Sequence, residues 1–252
     1  MLETRRLAVT VADNEVCRGL DLRIGDGSVW AILGRNGVGK TTLLKCLAGL
    51  HPPREGEVLL EGRPLEAWTQ RERARRIGVL FQHGTHAFPG TVLETALTGR
   101  HPWVERWSWE SDEDIAQTRA ALADVDLAGM ETRAVSTLSG GESQRLGLAT
   151  VLAQSPALYL LDEPNNHLDL KHQIAIMELI CRRARQPGHA AILVLHDVNL
   201  AARFCDHALL LHGDGACEHG AVDEVMTAER LSRLYQYPIR RVAGAGLCFM
   251  PD

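Results

Sequence analysis

The stretch from Val29 to Gly49 constrains this chain more than any other. Five apolar residues, Val29 to Leu33, run into Gly34-Arg35-Asn36-Gly37-Val38-Gly39-Lys40-Thr41. Leu43, Leu44, Leu47 and Ala48 then recur at helical spacing, with Gly49 as a stop and Pro52-Pro53 beyond it. The order is strand, glycine loop, helix, and the loop matches the Gly-x4-Gly-Lys-Ser/Thr pattern in the context that gives the pattern its chemistry. Glycines let backbone N–H groups turn inward around phosphate oxygens, and the helix N-terminus adds its partial positive charge. Lys40 supplies a point charge for β and γ phosphates, and Thr41 offers a hydroxyl to Mg²⁺. Gly34, Arg35, Asn36, Gly37, Val38, Gly39, Lys40, Thr41 and Thr42 are therefore the candidate phosphate-binding residues.

The rest of the chain alternates around this unit. Leu7 to Val11 and Leu20 to Ile24 suggest hairpin strands before Asp26-Gly27, and Val58 to Leu60 and Ile77 to Phe81 suggest two more, separated by an arginine-rich helix near Arg71 to Arg76. That helix reads as a solvated face. Between about Thr91 and Gln154 the strand signal stops, and Ile115 to Val125 and Glu142 to Leu152 read as helices of an inserted subdomain. The β/α rhythm resumes with Leu158 to Leu161, Leu170 to Ala184, Ala191 to Leu195 and Val198 to Phe204. Such alternation favours an α/β fold, and nearly continuous apolar strands are those covered by helices on both faces.

Composition removes several function classes. Lys+Arg 27 against Asp+Glu 32 leaves a net charge of −5, so no positive field makes a nucleic-acid backbone the default partner. Six scattered cysteines lack CxxC spacing and read as buried, reduced thiols. The first fifteen residues carry charge from the third onward and lack the apolar stretch of a secretory signal, so export is not expected. Apolar runs such as Ala190 to Leu195 fall well short of the about 20 residues of a spanning helix.

A second chemical feature is Leu158-Tyr159-Leu160-Leu161-Asp162-Glu163, an apolar strand ending in two adjacent carboxylates that side-chain alternation points in different directions. Asp162 suits a Mg²⁺ position. Glu163 suits polarisation of a water that attacks the γ phosphate.

With these in place, Thr137-Leu138-Ser139-Gly140-Gly141-Glu142-Ser143-Gln144-Arg145 resembles the LSGGQ signature of ABC-type ATPases. Gln82 is similar to the family's Q-loop residue, Asn166-His167-Leu168-Asp169 to its D-loop, and His196 to its switch histidine. The resemblance covers nearly the whole chain. It implies a P-loop NTPase with a RecA-like core, an N-terminal antiparallel β subdomain and an inserted helical subdomain, so that 1–252 is one cassette with 1–90 and 155–252 as core and about 91–154 as the helical part. It further implies ATP and Mg²⁺ as cofactors, with Thr41, Gln82 and Asp162 at the metal and Glu163, His196 and Gln82 at the reaction. In the family the signature serves in trans: two copies pack head to tail, and Ser139, Gly140, Gly141, Glu142 and Asp169 would face the nucleotide held by the other copy's loop. Physically the signature is a second anion cradle at a helix start.

Two departures stand out. The family's early adenine-stacking aromatic is absent from Leu7 to Ala12, where Val11 is the nearest match, and Glu142 puts a negative charge where glutamine is usual. One copy of each motif excludes a fused tandem, and the Lys40-to-Asp162 interval has no room for a long coiled coil. A cassette that powers a membrane permease, peripheral on the cytoplasmic face of the inner membrane, is the resulting expectation, with a periplasmic or extracellular substrate-binding protein as an indirect partner. The competing class is a nucleic-acid- or ribosome-associated clamp. Thr91 to Trp103 resembles the ATPases of importers for siderophores, haem and cobalamin, and Arg63 to Trp68 with the glutamate-bearing signature resembles the cobalamin one, which orders the cargo as cobalamin or another corrinoid, then ferric siderophore, then haem. Trp103, Trp107 and Trp109 among acidic residues read equally as a permease dock or as a local mini-core.

Overall fold

The computed structural model describes residues 1–12, 14–81, 90–105, 108–242 and 246–252. Gln82 and Trp107 lie outside them. The first hairpin joins β1 (Leu2–Val11) to β2 (Asn14–Ile24), both longer than the apolar pattern alone suggests. β3 (Val29–Gly34) then leads through the glycine loop into α1 (Lys40–Leu47). β4 (Glu55–Leu60) and β5 (Arg63–Pro64) return to the hairpin and complete an antiparallel sheet of order β2-β1-β4-β5. Its inner residues, among them Leu7, Val9, Leu20, Leu22 and Leu60, share a core with Leu43, Leu44 and Leu47 of α1.

After α2 (Gln70–Arg76) and β6 (Ile77–Leu80), the helical part contains α3 (Val92–Leu97), α4 (Asp112–Asp124) and α5 (Gly140–Gln154). Each of these four helices starts on a Thr or Ser capping box, the sequence device that satisfies two orphan N-terminal donors at once. Arg100, buried, pairs with Asp114 (2.8 Å) and donates to Ala153 O (2.9 Å), fastening the start of α4 to the end of α5.

The chain then re-enters the core through β7 (Leu158–Asp162), α6 (Leu170–Ala184), β8 (Ala190–Val194), α7 (Val198–Phe204), β9 (His207–Leu211) and β10 (Cys217–Ala221). The six-stranded sheet has the order β10-β9-β3-β8-β7-β6, parallel except for the β9–β10 pair. Alternation divides its side chains between two cores. Ala31, Leu33, Tyr159, Leu161 and Leu193 meet the later helices, whereas Trp30, Ile32, Leu158, Leu160 and Ile192 meet α1 and the small sheet. The chain closes with α8 (Val222–Val225), α9 (Ala228–Tyr235) and the hairpin of β11 (Ile239–Arg241) and β12 (Phe249–Pro251).

One reading needs correction. The α2 arginines are not merely a solvated face: Arg73 donates to Gly49 O (3.1 Å), and Arg71 and Arg75 both donate to Pro102 O (2.9 and 2.8 Å). They satisfy carbonyls after α1 and before α4, a non-local task that helical spacing cannot reveal. Of the tryptophans, Trp103 is 38% exposed, its Nε1 donating to Gln154 O (2.8 Å) and its ring lying under Arg75 and Arg100. Trp109 is 91% exposed.

Candidate active site

The glycine loop is held in a shape that side chains would spoil. Gly39 has φ +96° and a Cβ there would stand 2.3 Å from Val16 Cγ2; a Cβ on Gly34 would stand 2.7 Å from Leu211 O. The loop therefore leaves β3 in close contact with β9 and enters α1 under β2. Lys40, only 6% exposed, is the first residue of α1, and its Nζ donates to the loop carbonyls of Gly34 (2.9 Å) and Arg35 (3.0 Å). Burial lowers the Lys40 pKa, and Glu163 and Asp162 act in the opposite direction. Thr41 and Thr42 are half-buried, and Asn36 and Gly37 are exposed. Arg35 turns outward to Gln236 Oε1 (2.5 Å) at the end of α9, and Val38 packs on the α1 core.

β7 delivers the carboxylates beside this loop. Asp162 is fully buried and its Oδ2 accepts from Thr41 Oγ1 (2.5 Å), while its Oδ1 has no hydrogen-bond partner among the described residues. Burial raises the Asp162 pKa, with the Thr41 bond opposing. A buried carboxylate oxygen left over next to a threonine hydroxyl is the donor set that a hard divalent cation takes, so these residues fit Mg²⁺. Glu163 diverges from Asp162 for a reason that alternation does not supply: the strand ends at Asp162, and Glu163 has φ +53°. Its N–H donates to Val194 O (3.1 Å), its Oε1 meets His196 Nε2 just beyond β8, and its Oε2 accepts from Asn166 Nδ2. Lys40, Thr41, Asp162, Glu163 and His196 thus gather at the C-terminal edge of adjacent parallel strands, where ligands of open α/β sheets bind.

Ser139, Gly140, Gly141 and Glu142 lie elsewhere. Ser139 and Gly140 are exposed at the start of α5, and no hydrogen bond links this segment to the Lys40 loop among the described residues. Glu142 is spent locally: Oε2 accepts from Ser139 N (2.7 Å) and Oε1 from Arg133 Nη1 (2.9 Å), and the Ser139 N–H leads the causes that lower its pKa. The extra negative charge is thereby tied into a capping box and an ion pair, and Arg133 also grips Thr137 through Oγ1 (3.0 Å) and O (2.6 Å). Asp169 caps α6 through His172 N (2.9 Å), and Val11, at the end of β1, is 38% exposed.

Sequence reading missed the partners rather than the principals. Arg133 lies nine residues before Glu142 across a turn, a spacing with no helical or strand period. Gln144 donates through Nε2 to Glu163 O (3.0 Å), and Gln236 reaches Arg35 from the far end of the chain.

A glycine loop between a strand and a helix, with an acidic strand end beside it and a separate exposed helix start, is the arrangement of an ATP-binding cassette. The ABC transporter family model matches residues 17–166, and the chain belongs to this family. It is an ABC-type ATPase. It is 42% identical over 220 residues to the hemin import ATP-binding protein HmuV of Nocardia farcinica (87% of this chain, 75% of the relative). It is 40% identical over 227 residues to the ferric enterobactin transport ATP-binding protein FepC of Escherichia coli (90% and 82%). Among solved structures, an inward-facing ABC transporter of metal-chelate type superposes with a TM-score of 0.85 at 25% identity, covering 100% of this chain and 97% of the other. A dimeric post-hydrolysis state of the cassette MJ0796 bound to ADP and Pi gives 0.77 at 26% identity, covering 88% and 99%.

Proposed function

We propose that this chain is the ATP-hydrolysing subunit of an importer for an iron-containing chelate, a ferric siderophore or haem, working as a pair of copies on the cytoplasmic side of a permease. The observation that carries the catalytic reading is the meeting of Thr41, Asp162, Glu163 and His196 beside the Lys40 loop. The Lys40 loop binds the β and γ phosphates of ATP. Thr41 and Asp162 would hold Mg²⁺, which when bound neutralises phosphate charge. Glu163 is the general base for the attacking water, and His196 and Asn166 orient its carboxylate. Ser139 to Gly141 receive the nucleotide of a second copy, an arrangement supported by the exposure of that segment and the dimeric cassette structure. The core comprises 1–90 and 155–252, and 91–154 form the helical part.

The relatives' names support siderophore or haem as cargo ahead of cobalamin, the first expectation from sequence. Among the described residues no helix is long and apolar enough to cross a membrane, which fits a permease supplied by other chains. Glu163→Gln is expected to bind ATP and hydrolyse it at least ~10²-fold more slowly, the scale of a lost general base; turnover near wild type refutes the role. For the cargo, a deletion strain should lose growth on a limiting ferric siderophore or haem and recover with the intact gene. Growth lost only on limiting corrinoid, or ATPase activity stimulated by DNA or ribosomes, would overturn this reading.

A further inference from the structure

The loop leaving β7 is braced by α5. Gln144 Nε2 donates to Glu163 O at 3.0 Å, and on the same helix a Cβ on Gly141 would stand 3.1 Å from His167 O. The braced loop holds two side-chain-bearing residues in the left-handed region, Glu163 at φ +53° and His167 at φ +62°. Such conformations persist where surroundings over-determine them. The Glu163 carboxylate is fixed by His196 and Asn166, its N–H by Val194 O, and its carbonyl by the Asn166 N–H (3.2 Å) together with Gln144 Nε2. Gln144 is the one of these partners that comes from the helical part. It sits five residues after Ser139, about 7.5 Å along one rigid helix.

We infer that Gln144 is a positioning residue for Glu163, tying the helix that presents Ser139 to Gly141 to the base of the same chain. The inference rests on the proposed role of Glu163 and on the two-copy arrangement. A nucleotide seated on the exposed end of α5 by one copy then acts on a helix that directly holds the other site's glutamate, so binding at one site aligns the base at the next. The bond works by fixing the peptide that follows the Glu163 Cα. An ångström of misplacement of a reacting group costs on the order of 10²-fold in rate.

The test uses the full-length chain with Mg²⁺-ATP. Gln144→Ala is expected to lower kcat about 10- to 100-fold with KM for ATP within about threefold, the pattern of a lost transition-state interaction. Gln144→Glu keeps the length of the side chain and removes the donor, so it should lose as much. In a Glu163→Gln background, where ATP should trap the pair, Gln144→Ala should leave ATP-dependent pairing on size exclusion intact. Unchanged kcat in Gln144→Ala, a fully active Gln144→Glu, or pairing and kcat lost together would overturn the inference, the last by showing a structural role alone. A Glu163→Gln chain that stays monomeric with ATP refutes the two-copy arrangement itself and with it the link between sites.

Discussion

Asp162→Asn should make the nucleotide-free protein more stable and at the same time remove its response to magnesium. The fully buried Asp162 carboxylate has one oxygen on Thr41 and one with no hydrogen-bond partner among the described residues. A buried polar atom left without a partner costs about 1–3 kcal/mol, more when charged. Asparagine keeps an oxygen for the Thr41 hydroxyl and replaces a buried anion by a neutral amide, which removes the cost of burying charge although its NH2 takes the unpartnered position, while giving up attraction to Lys40. The balance is a gain of about 1 kcal/mol, or about 2–4 °C in Tm for a chain of this size. Ligand reverses the order. At a hundredfold excess over Kd, Mg²⁺-ATP should stabilise the wild type by about 2.7 kcal/mol, and the variant, lacking the proposed anionic ligand, should gain only what ATP gives without metal. Thermal melts of both proteins with no addition, with ATP and EDTA, and with Mg²⁺-ATP read this directly. A variant that melts lower without nucleotide, or that shows the wild-type rise with Mg²⁺, refutes the argument from the buried charge.

Arg133→Ala should weaken ATP-dependent pairing of the Glu163→Gln chain, because it leaves the Glu142 carboxylate uncompensated at an anion cradle, and adding Glu142→Gln should restore it; sedimentation at several ATP concentrations measures both, and failure of the second change to rescue the first assigns Arg133 to the Thr137 turn alone. Asp114, held at about 2 chiefly by the Ser111 hydroxyl and N–H and then by Arg100, titrates below its ordinary value of 3.8. Its contribution is complete above pH 3.8 and fades as the folded carboxyl takes up its proton on the way down to about pH 2. The gap in urea midpoint between wild type and Asp114→Asn should therefore close across that window, and a gap that stays constant from pH 5 to 2 would refute it.

Much of the site was legible because its principals sit in short, local patterns. Gly34 to Thr41 and Asp162-Glu163 need only a strand, a turn and a helix start to acquire their geometry, and the structure brings them together through β3 and β7. What escaped was set by tertiary contact. The left-handed turn at Glu163, the grip of Arg133 on Glu142 and the reach of Arg71 and Arg75 to Pro102 depend on segments distant in sequence or on backbone angles with no periodic trace. In the fold, long apolar strands were found and the elements after Phe204 were not. Of these, β10, a half-exposed edge strand, lacks an apolar trace, whereas β9 carries Ala208 to Leu211 and α9 spaces Leu231, Leu234 and Tyr235 at helical intervals, local signals that sequence reading passed over.

The alternation of β3, β7 and β8 between two cores bears on how the molecule comes apart. Each of these strands contributes neighbouring residues to both hydrophobic clusters, Trp30 and Ile32 to one, Ala31 and Leu33 to the other. Neither cluster can melt while leaving the shared sheet, and with it the phosphate loop, in place. The small sheet and the helix-covered face are therefore expected to lose structure together in spite of their separate sheets. Damage far from the loop, in either layer, reaches ATP binding through the population of unfolded chains.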